Sequence, residues 1–415
     1  MANSYFTLAA PSRQSPRDRR ARAAVETRPA ERIALSVHRD PAEIEADWRA
    51  LDANKLNSLH QSFDWCAAWK SAHKSQLRIV RGTLGKQLLF LLPFEIEKGR
   101  FFRTARLIAT EHSNLNTGLF AAELERVPRG ELIRVLTEGV RRVLRSHADV
   151  VTFEKAPGVW RGLPHPLAAL PGIANPNASF QLGLLGDMER TLAQLNAKRR
   201  RKKMRLSERR LAELGGYDYV VARDPAEAHA LLDTFFRQKA ARLEAQGLPD
   251  VFDNSATRAF FRLLIDRQSA GDRLLELNAI RLRGEHQGRI IAVTGLSRKG
   301  DHVICQFGSI DDTIAADSSP GELLFYRVIE RLCGEGVTLF DFGIGDQPYK
   351  RSWCTIETPL RDITLPLTLR GNAAAGLHRA VVRAKRTIKA NRTLYTFVQR
   401  GRRRVLQATA EPADD

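Results

Sequence analysis

Apolar residues recur along this chain in two periods, and the order of those periods itself repeats. A β-like run at Ile33–Val37 leads into a helix start at Asp40-Pro41, and a second helix opens near Ser62. Trp65, Trp69 and Ala72 share one face of that second helix. Alternating and continuous apolar stretches then predict strands over Leu77–Gly82 and Gln87–Ile96, joined by a turn at Leu84-Gly-Lys86. After irregular chain come a helix over Arg129–Ser146 and a strand over Val150–Lys155. The same succession starts again at Tyr217–Val221, followed by a helix start at Asp224-Pro225 and a helix over Ser255–Gln268. Strands follow over Leu274–Leu282, Arg289–Leu296 and Val303–Ile310, then a helix over Pro320–Leu332 and a strand over Val337–Asp341. Helices rest on spacing such as Leu324, Val328 and Leu332; strands rest on β-branched runs bounded by Gly and Asp. Both halves read β-α-α-β-β-(β)-α-β, an α+β mixed-sheet class.

A literal repeat supports the duplication. Arg39-Asp40-Pro41-Ala42-Glu43 returns as Arg223-Asp224-Pro225-Ala226-Glu227. In each copy Asp can cap a helix, Pro suits the first helical position and Glu favours the first turn. Between the halves, Met188, Leu192 and Leu195, then Leu211 and Leu214, predict one long helix over Asp187–Gly215. Five segments result: a basic, disordered arm (1–32), a first half (33–187), a connecting helix (188–215), a second half (216–370) and a basic helical tail with an acidic end (371–415).

Charge changes the picture only where it is concentrated. The chain has 415 residues and a net charge of +19. Residues 1–32 carry +4, residues 198–210 (KRRRKKMRLSERR) +8 and residues 371–405 +10, which leaves the remainder near −3. The body is thus ordinary, and the basic runs suit phosphates of nucleic acid, anionic lipid or a phosphorylated carrier. The central run reads equally as a solvated face or as an anion site near the cleft between halves. No aromatic interleaving accompanies these runs, so nucleic acid is not the expected partner. In the tail, Val381, Ile388 and Phe397 interleave with Arg379, Arg383, Lys385, Arg386, Lys389 and Arg392, a pattern for weak, salt-sensitive contact of residues 376–405 with an anionic membrane. No apolar run approaches the ~20 residues of a membrane span. The N-terminus shows no apolar signal core, and four scattered cysteines (Cys66, Cys305, Cys333, Cys354) argue for free thiols and against a metal cluster. The expected place is the cytoplasm, peripheral to the inner membrane face.

Several short stretches could carry chemistry. Ser318, Ser319 and Gly321 open the Pro320–Leu332 helix, where free N–H groups favour phosphate, although plain capping explains the same residues. His112 could take a proton, while Asn114 and Asn116 could bind sugar hydroxyls or satisfy their own loop. Trp65 and Trp69, at i, i+4, fit a core face or a sugar-stacking platform. Phe340-Asp-Phe-Gly-Ile-Gly-Asp-Gln-Pro-Tyr-Lys-Arg-Ser-Trp353 sets Asp341, Tyr349 and Lys350 around two glycines at a strand end.

The ordered set Gln61-Ser-Phe-Asp-Trp65, His112-Ser-Asn-Leu-Asn116, Glu208-Arg-Arg-Leu-Ala-Glu-Leu-Gly215, Ser319-Pro-Gly-Glu-Leu-Leu324 and Phe340…Trp353 resembles the GNAT-type acetyltransferases of the CelD/BcsL (cellulose biosynthesis) group, with the tandem GNAT fold of FemAB-like proteins. The resemblance covers residues 33–365. It implies acyl transfer from acyl-CoA, probed first with acetyl-CoA, to an amine or hydroxyl of an envelope-sugar acceptor, without a metal. On it, Lys350 would stabilise an oxyanion or hold an acceptor phosphate. Tyr349 would hand a proton to the departing thiolate, and Asp341 would be a base, an orienting partner or a cap for the turn at Gly343. One departure is Asp317-Ser-Ser-Pro-Gly-Glu322, which stands where GNAT enzymes carry a Gln/Arg-x-x-Gly-x-Gly/Ala loop. Two alternatives stay open: aminoacyl transfer from tRNA, as in FemAB-like proteins, and a nucleic-acid or anionic-membrane binder on a silent scaffold.

Overall fold

A computed structural model describes residues 32–269 and 272–391. The expected disordered arm and the tail positions Arg392 and Phe397 lie outside the described residues. In the first half, β1 (Ile33–His38) leads through a 3-10 turn into α1 (Glu45–Asp52), followed by α2 (Phe63–His73). Strands β2 (Leu77–Leu84), β3 (Gln87–Lys98) and β4 (Arg103–Leu107) precede α3, which runs from Arg129–Arg134 through a π turn, Val135–Gly139, to Val140–Leu144. Then come β5 (Val150–Pro157) and β6 (Ser179–Gly183). The connector is α4 (Met188–Ala193) and α5 (Ala197–Glu213). The second half comprises β7 (Tyr217–Val221), α6 (Pro225–Ala245), α7 (Ser255–Asp266), β8 (Glu276–Leu282), β9 (Ile290–Lys299) and β10 (His302–Ile310). It continues with α8 (Pro320–Cys333), β11 (Leu339–Ile344), α9 (Pro348–Trp353), β12 (Ile356–Thr358), β13 (Leu360–Pro366) and α10 (Leu369–Ala390).

The repeated caps act as their chemistry demands. Asp40 accepts from the Ala42 N–H, and Asp224 accepts from the Glu227 N–H while the Glu227 carboxylate reaches back to accept from Arg223 N, one residue before the cap. The connector is not one helix: the turn after α4 ends at Asn196, whose side chain caps Arg199 N and starts α5 afresh.

The two sheets run β1-β2-β3-β4-β5-β13 and β7-β8-β9-β10-β11-β6-β12. Each contains one parallel pair at its centre, β4 with β5 and β10 with β11, amid antiparallel neighbours. The boundaries at 187 and 370 need correction, because the halves trade their last strands. Strand β6 lies between β11 and β12 in the second sheet, and β13 lies against β5 in the first. One apolar core crosses the junction: Trp65 and Trp69 of α2 pack on Phe260 of α7 with ring centroids 5.0 and 5.1 Å apart. At the far end, Asp149 O accepts from Leu367 N and Thr368 N, seating α10 against the first sheet.

Candidate active site

The parallel register of β10 and β11 holds only from His302–Ile304 opposite Leu339–Asp341. Beyond it β10 continues to Ile310 and β11 to Ile344, and Gly343 turns with φ 73°. A Cβ at Gly343 would stand 2.8 Å from the Asn114 amide, so only glycine leaves room for that side chain. The strands part around a cavity of about 590 Å³, bounded by the start of α8, by α6 and by α9. In the first half the matching gap is filled. Lys155 Nζ donates to the carbonyls of Thr110 (2.7 Å) and Ser113 (2.9 Å), and Asn116 Nδ2 donates to Glu154 O.

Tyr349 lines the open wedge, stacked 5.7 Å from Phe325 with planes 12° apart. Its hydroxyl has no hydrogen-bond partner among the described residues, and burial pushes its pKa far above that of an ordinary phenol. Lys350 also lines the wedge, but its ammonium donates to Ile344 O (2.7 Å) and Gly343 O (3.2 Å). Burial lowers its pKa, against the pull of Cys305 and Asp341.

At the phosphate-favouring end, Ser319 is left-handed (φ 51°) and its side chain makes no cap bond. The N–H groups of Glu322 and Leu323 go to Ser319 O, while that of Gly321 has no acceptor among the described residues. Glu322 would repel an anion here, yet it is neutralised: Arg200 Nη1 (2.5 Å), Lys203 Nζ (3.3 Å) and Trp353 Nε1 (3.0 Å) surround its carboxylate. The Arg200 guanidinium lies 3.9 Å over the Trp353 ring and donates to Ser352 Oγ. The basic run therefore spends Arg200 and Lys203 on pinning α5 to α8 and α9, while Lys198, Arg199, Arg201, Lys202, Arg205 and Arg209 stay exposed.

The geometry corrects several expected roles. Asp341 is buried and does not face the wedge; Oδ1 accepts from Ser179 Oγ and Gly343 N, and Oδ2 accepts from Gln181 Nε2. Burial works to raise its pKa, but His302, with Nε2 3.6 Å away, and these donors hold the carboxyl low. Of the roles weighed for it, the cap at Gly343 fits, and both donors from the side come on the traded strand β6. His112 sits among Trp69, Phe252 and Phe261 at 5.4–5.8 Å, away from the wedge; burial, then the charge of Lys155, lowers its pKa to about 4. Trp65 is fully buried edge-on to Phe260, which makes it core. Asn116 is fully buried between Gln61 and Glu154 O, and Ser318 donates to Ala315 O within its own turn. Of the two asparagines only Asn114 reaches the wedge, where its amide donates to Cys305 O (3.3 Å).

Two cations lining the wedge escaped the sequence reading, Lys239 and Arg242 on α6. A signal existed. Neither has a carboxylate three or four residues away on its helix, where an exposed cation commonly finds one. Among the described residues no His, Cys, Asp or Glu group is arranged to hold a metal.

Residues 198–351 match a family model described as an acetyltransferase (GNAT) domain. No curated protein matches the chain at a significant level. Among solved structures, FemX is 13% identical with a TM-score of 0.59, covering 83% of this chain and 99% of that one. A tandem GNAT protein from the clavulanic acid biosynthesis pathway is 13% identical (TM-score 0.47; 81% and 98% covered). The C-terminal domain of a putative lysylphosphatidylglycerol synthetase from Agrobacterium fabrum is 12% identical (TM-score 0.47; 83% and 97% covered). Apart from Asn114, the residues lining the wedge, from Lys203 on α5 to Tyr349 and Lys350, thus fall inside the segment 198–351 that matches this GNAT-domain model, set within a mixed α/β fold like that of FemX.

Proposed function

We propose that this chain is an acyltransferase that moves an acyl group, acetyl as the first donor to try, from acyl-CoA to an amine or hydroxyl of a small, envelope-polysaccharide-related acceptor. The observation that carries the reading is the open β10/β11 wedge with an unpartnered, strongly protonated phenol beside it. The Gly321 N–H and the start of α8 suit the donor's phosphates, with Ser319 alongside. An acceptor amine arriving as the free base attacks the thioester carbonyl; the new C–N bond forms, the C–S bond breaks, Tyr349 gives its proton to the leaving thiolate, and the surplus proton on the new amide nitrogen restores the Tyr349 phenol. A phenol held above its ordinary pKa keeps that proton until the thiolate develops, which is what a general acid needs. Acetyl-CoA should raise the melting temperature, and Tyr349→Phe should cut turnover by ~10²–10⁴ with donor binding intact. Normal turnover of that variant would remove Tyr349 from the chemistry.

The exposed bases of α5 favour a second reading, FemAB-like aminoacyl transfer from tRNA. Salt-sensitive RNA binding without any acetyl-CoA effect would select it.

We place the enzyme in the cytoplasm against the inner membrane face. Helix α10 docks through Ala374, Ala375 and Val382, yet leaves Leu377 and Val381 exposed beside that contact and Leu369 exposed at its start, flanked by Arg370, Arg379, Arg383, Lys385 and Arg386 with no acid between Leu369 and Ala390. An apolar stripe edged with cations suits an anionic bilayer. Co-sedimentation with phosphatidylglycerol vesicles, absent with phosphatidylcholine and lost in Leu377→Glu/Val381→Glu, is the expected result.

A further inference from the structure

Four cations line the wedge, and two of them are already committed. Lys203 pairs with Glu322, and Lys350 donates to backbone carbonyls. The side chains of Lys239 and Arg242, which also line the wedge, have no hydrogen-bond or ion-pair partner among the described residues. They stand three residues apart on α6, on one side of the helix. Asp250, the carboxylate whose charge acts on Lys239, is engaged by Phe252 N and Arg258. The wedge's own acids do not answer the pair either: Glu322 is neutralised, and Asp312 is exposed at the rim. Burial, and then the charge of Arg242, lowers the pKa of Lys239, while Asp250 pulls it the other way. Lys239 and Arg242 line the same cavity as Tyr349 and Cys305, so the pair shares the wedge with the reacting end.

We infer that Lys239 and Arg242 form a phosphate-reading subsite for the acceptor, so that the acyl group is delivered to an amine or hydroxyl of a phosphorylated sugar. The inference rests on the acyl-transfer reading of the wedge and names the chemical class of its acceptor. Two cations near Tyr349 would hold the acceptor's phosphate while its nucleophile faces the thioester. An uncharged sugar would leave both cations uncompensated.

Calorimetry on the full chain with glucosamine 6-phosphate and with glucosamine tests it without any donor present. The phosphorylated sugar should bind at least about tenfold more tightly. Lys239→Gln and Arg242→Gln should each erase most of that margin, whereas Arg237→Gln, an exposed arginine on the same helix, should leave it. Equal binding of the two sugars, or an unchanged margin in both variants, overturns the inference. The donor's own phosphates are the other source of the same chemistry. If the variants lose affinity for acetyl-CoA while binding glucosamine 6-phosphate normally, the subsite belongs to the donor and the inference fails. Absence of acetyl-CoA binding in the unaltered chain would instead sink the acyl-transfer reading, a separate outcome.

Discussion

A single lysine shows how far residue chemistry could be read before the fold was known. The order Tyr349-Lys350 after a glycine turn marked both residues, and both line the wedge. What the order could not show is where the ammonium points. It closes the end of β11 by donating to Gly343 O and Ile344 O, so we propose it as a brace that fixes the turn from which Tyr349 projects. Lys350→Met should then lower stability by about 1–3 kcal/mol, the cost of buried carbonyls left without a donor, and reduce turnover with it. Differential scanning fluorimetry alongside the acyl-transfer assay checks the coupling; lost activity at an unchanged melting temperature would restore the direct oxyanion role. Asp341, Asn116 and Trp65 have site-like chemistry but are buried in structural bonds, and burial at a given position depends on contacts remote in sequence. Lys239 and Arg242 were readable in principle from their missing i±3 and i±4 partners, a cue more easily seen once the wedge is known.

Among the elements, those fixed by local chemistry were the legible ones. The two Asp-Pro caps, the apolar spacing of α8 and the β-branched runs of β8 to β10 all follow from neighbours a few residues away. Strands β6 and β13 were missed because five- and seven-residue runs carry little periodicity, and their partners lie across the molecule in the other sheet. The break between α4 and α5 was missed because leucine spacing on both sides fits one helix, and only the Asn196 side chain decides otherwise. Helix α10 was expected from charge pattern, but its seat depends on one glycine. A Cβ at Gly371 would lie 1.8 Å from Asp149 O, the carbonyl that also holds Leu367 and Thr368. Gly371→Ala should lift the first turn of α10, cost about 1–3 kcal/mol as overpacking does, and open residues 372–390 to limited proteolysis.

For the whole molecule, buried histidines set the response to acid. Burial lowers the pKa of His60 to about 4, of His165 to about 3 and of His112 to about 4, against about 6.5 in an unfolded chain. Below pH 6.5 the unfolded chain therefore binds protons that the native one refuses, so this stabilisation, complete above pH 6.5, drains away as pH falls toward 4. Between pH 6.5 and 5 each such histidine should cost about 2 kcal/mol, seen as a falling urea midpoint. His165→Asn, whose amide oxygen can still accept from Leu167 N as the imidazole Nδ1 does, should flatten that fall. The duplication of the body was visible in the repeated Arg-Asp-Pro-Ala-Glu, but its interlocking was not, since strand trading leaves no local trace. That interlocking has a consequence for descent. Asp341, which caps the Gly343 turn, is steadied by Ser179 and Gln181 from a strand encoded before the connector, and the first sheet is completed by residues encoded after the wedge. Neither copy can be lost, swapped or inherited alone. The half that keeps no open wedge must survive as long as the other works, so the pair evolves as one gene's worth of fold rather than as two modules on a string.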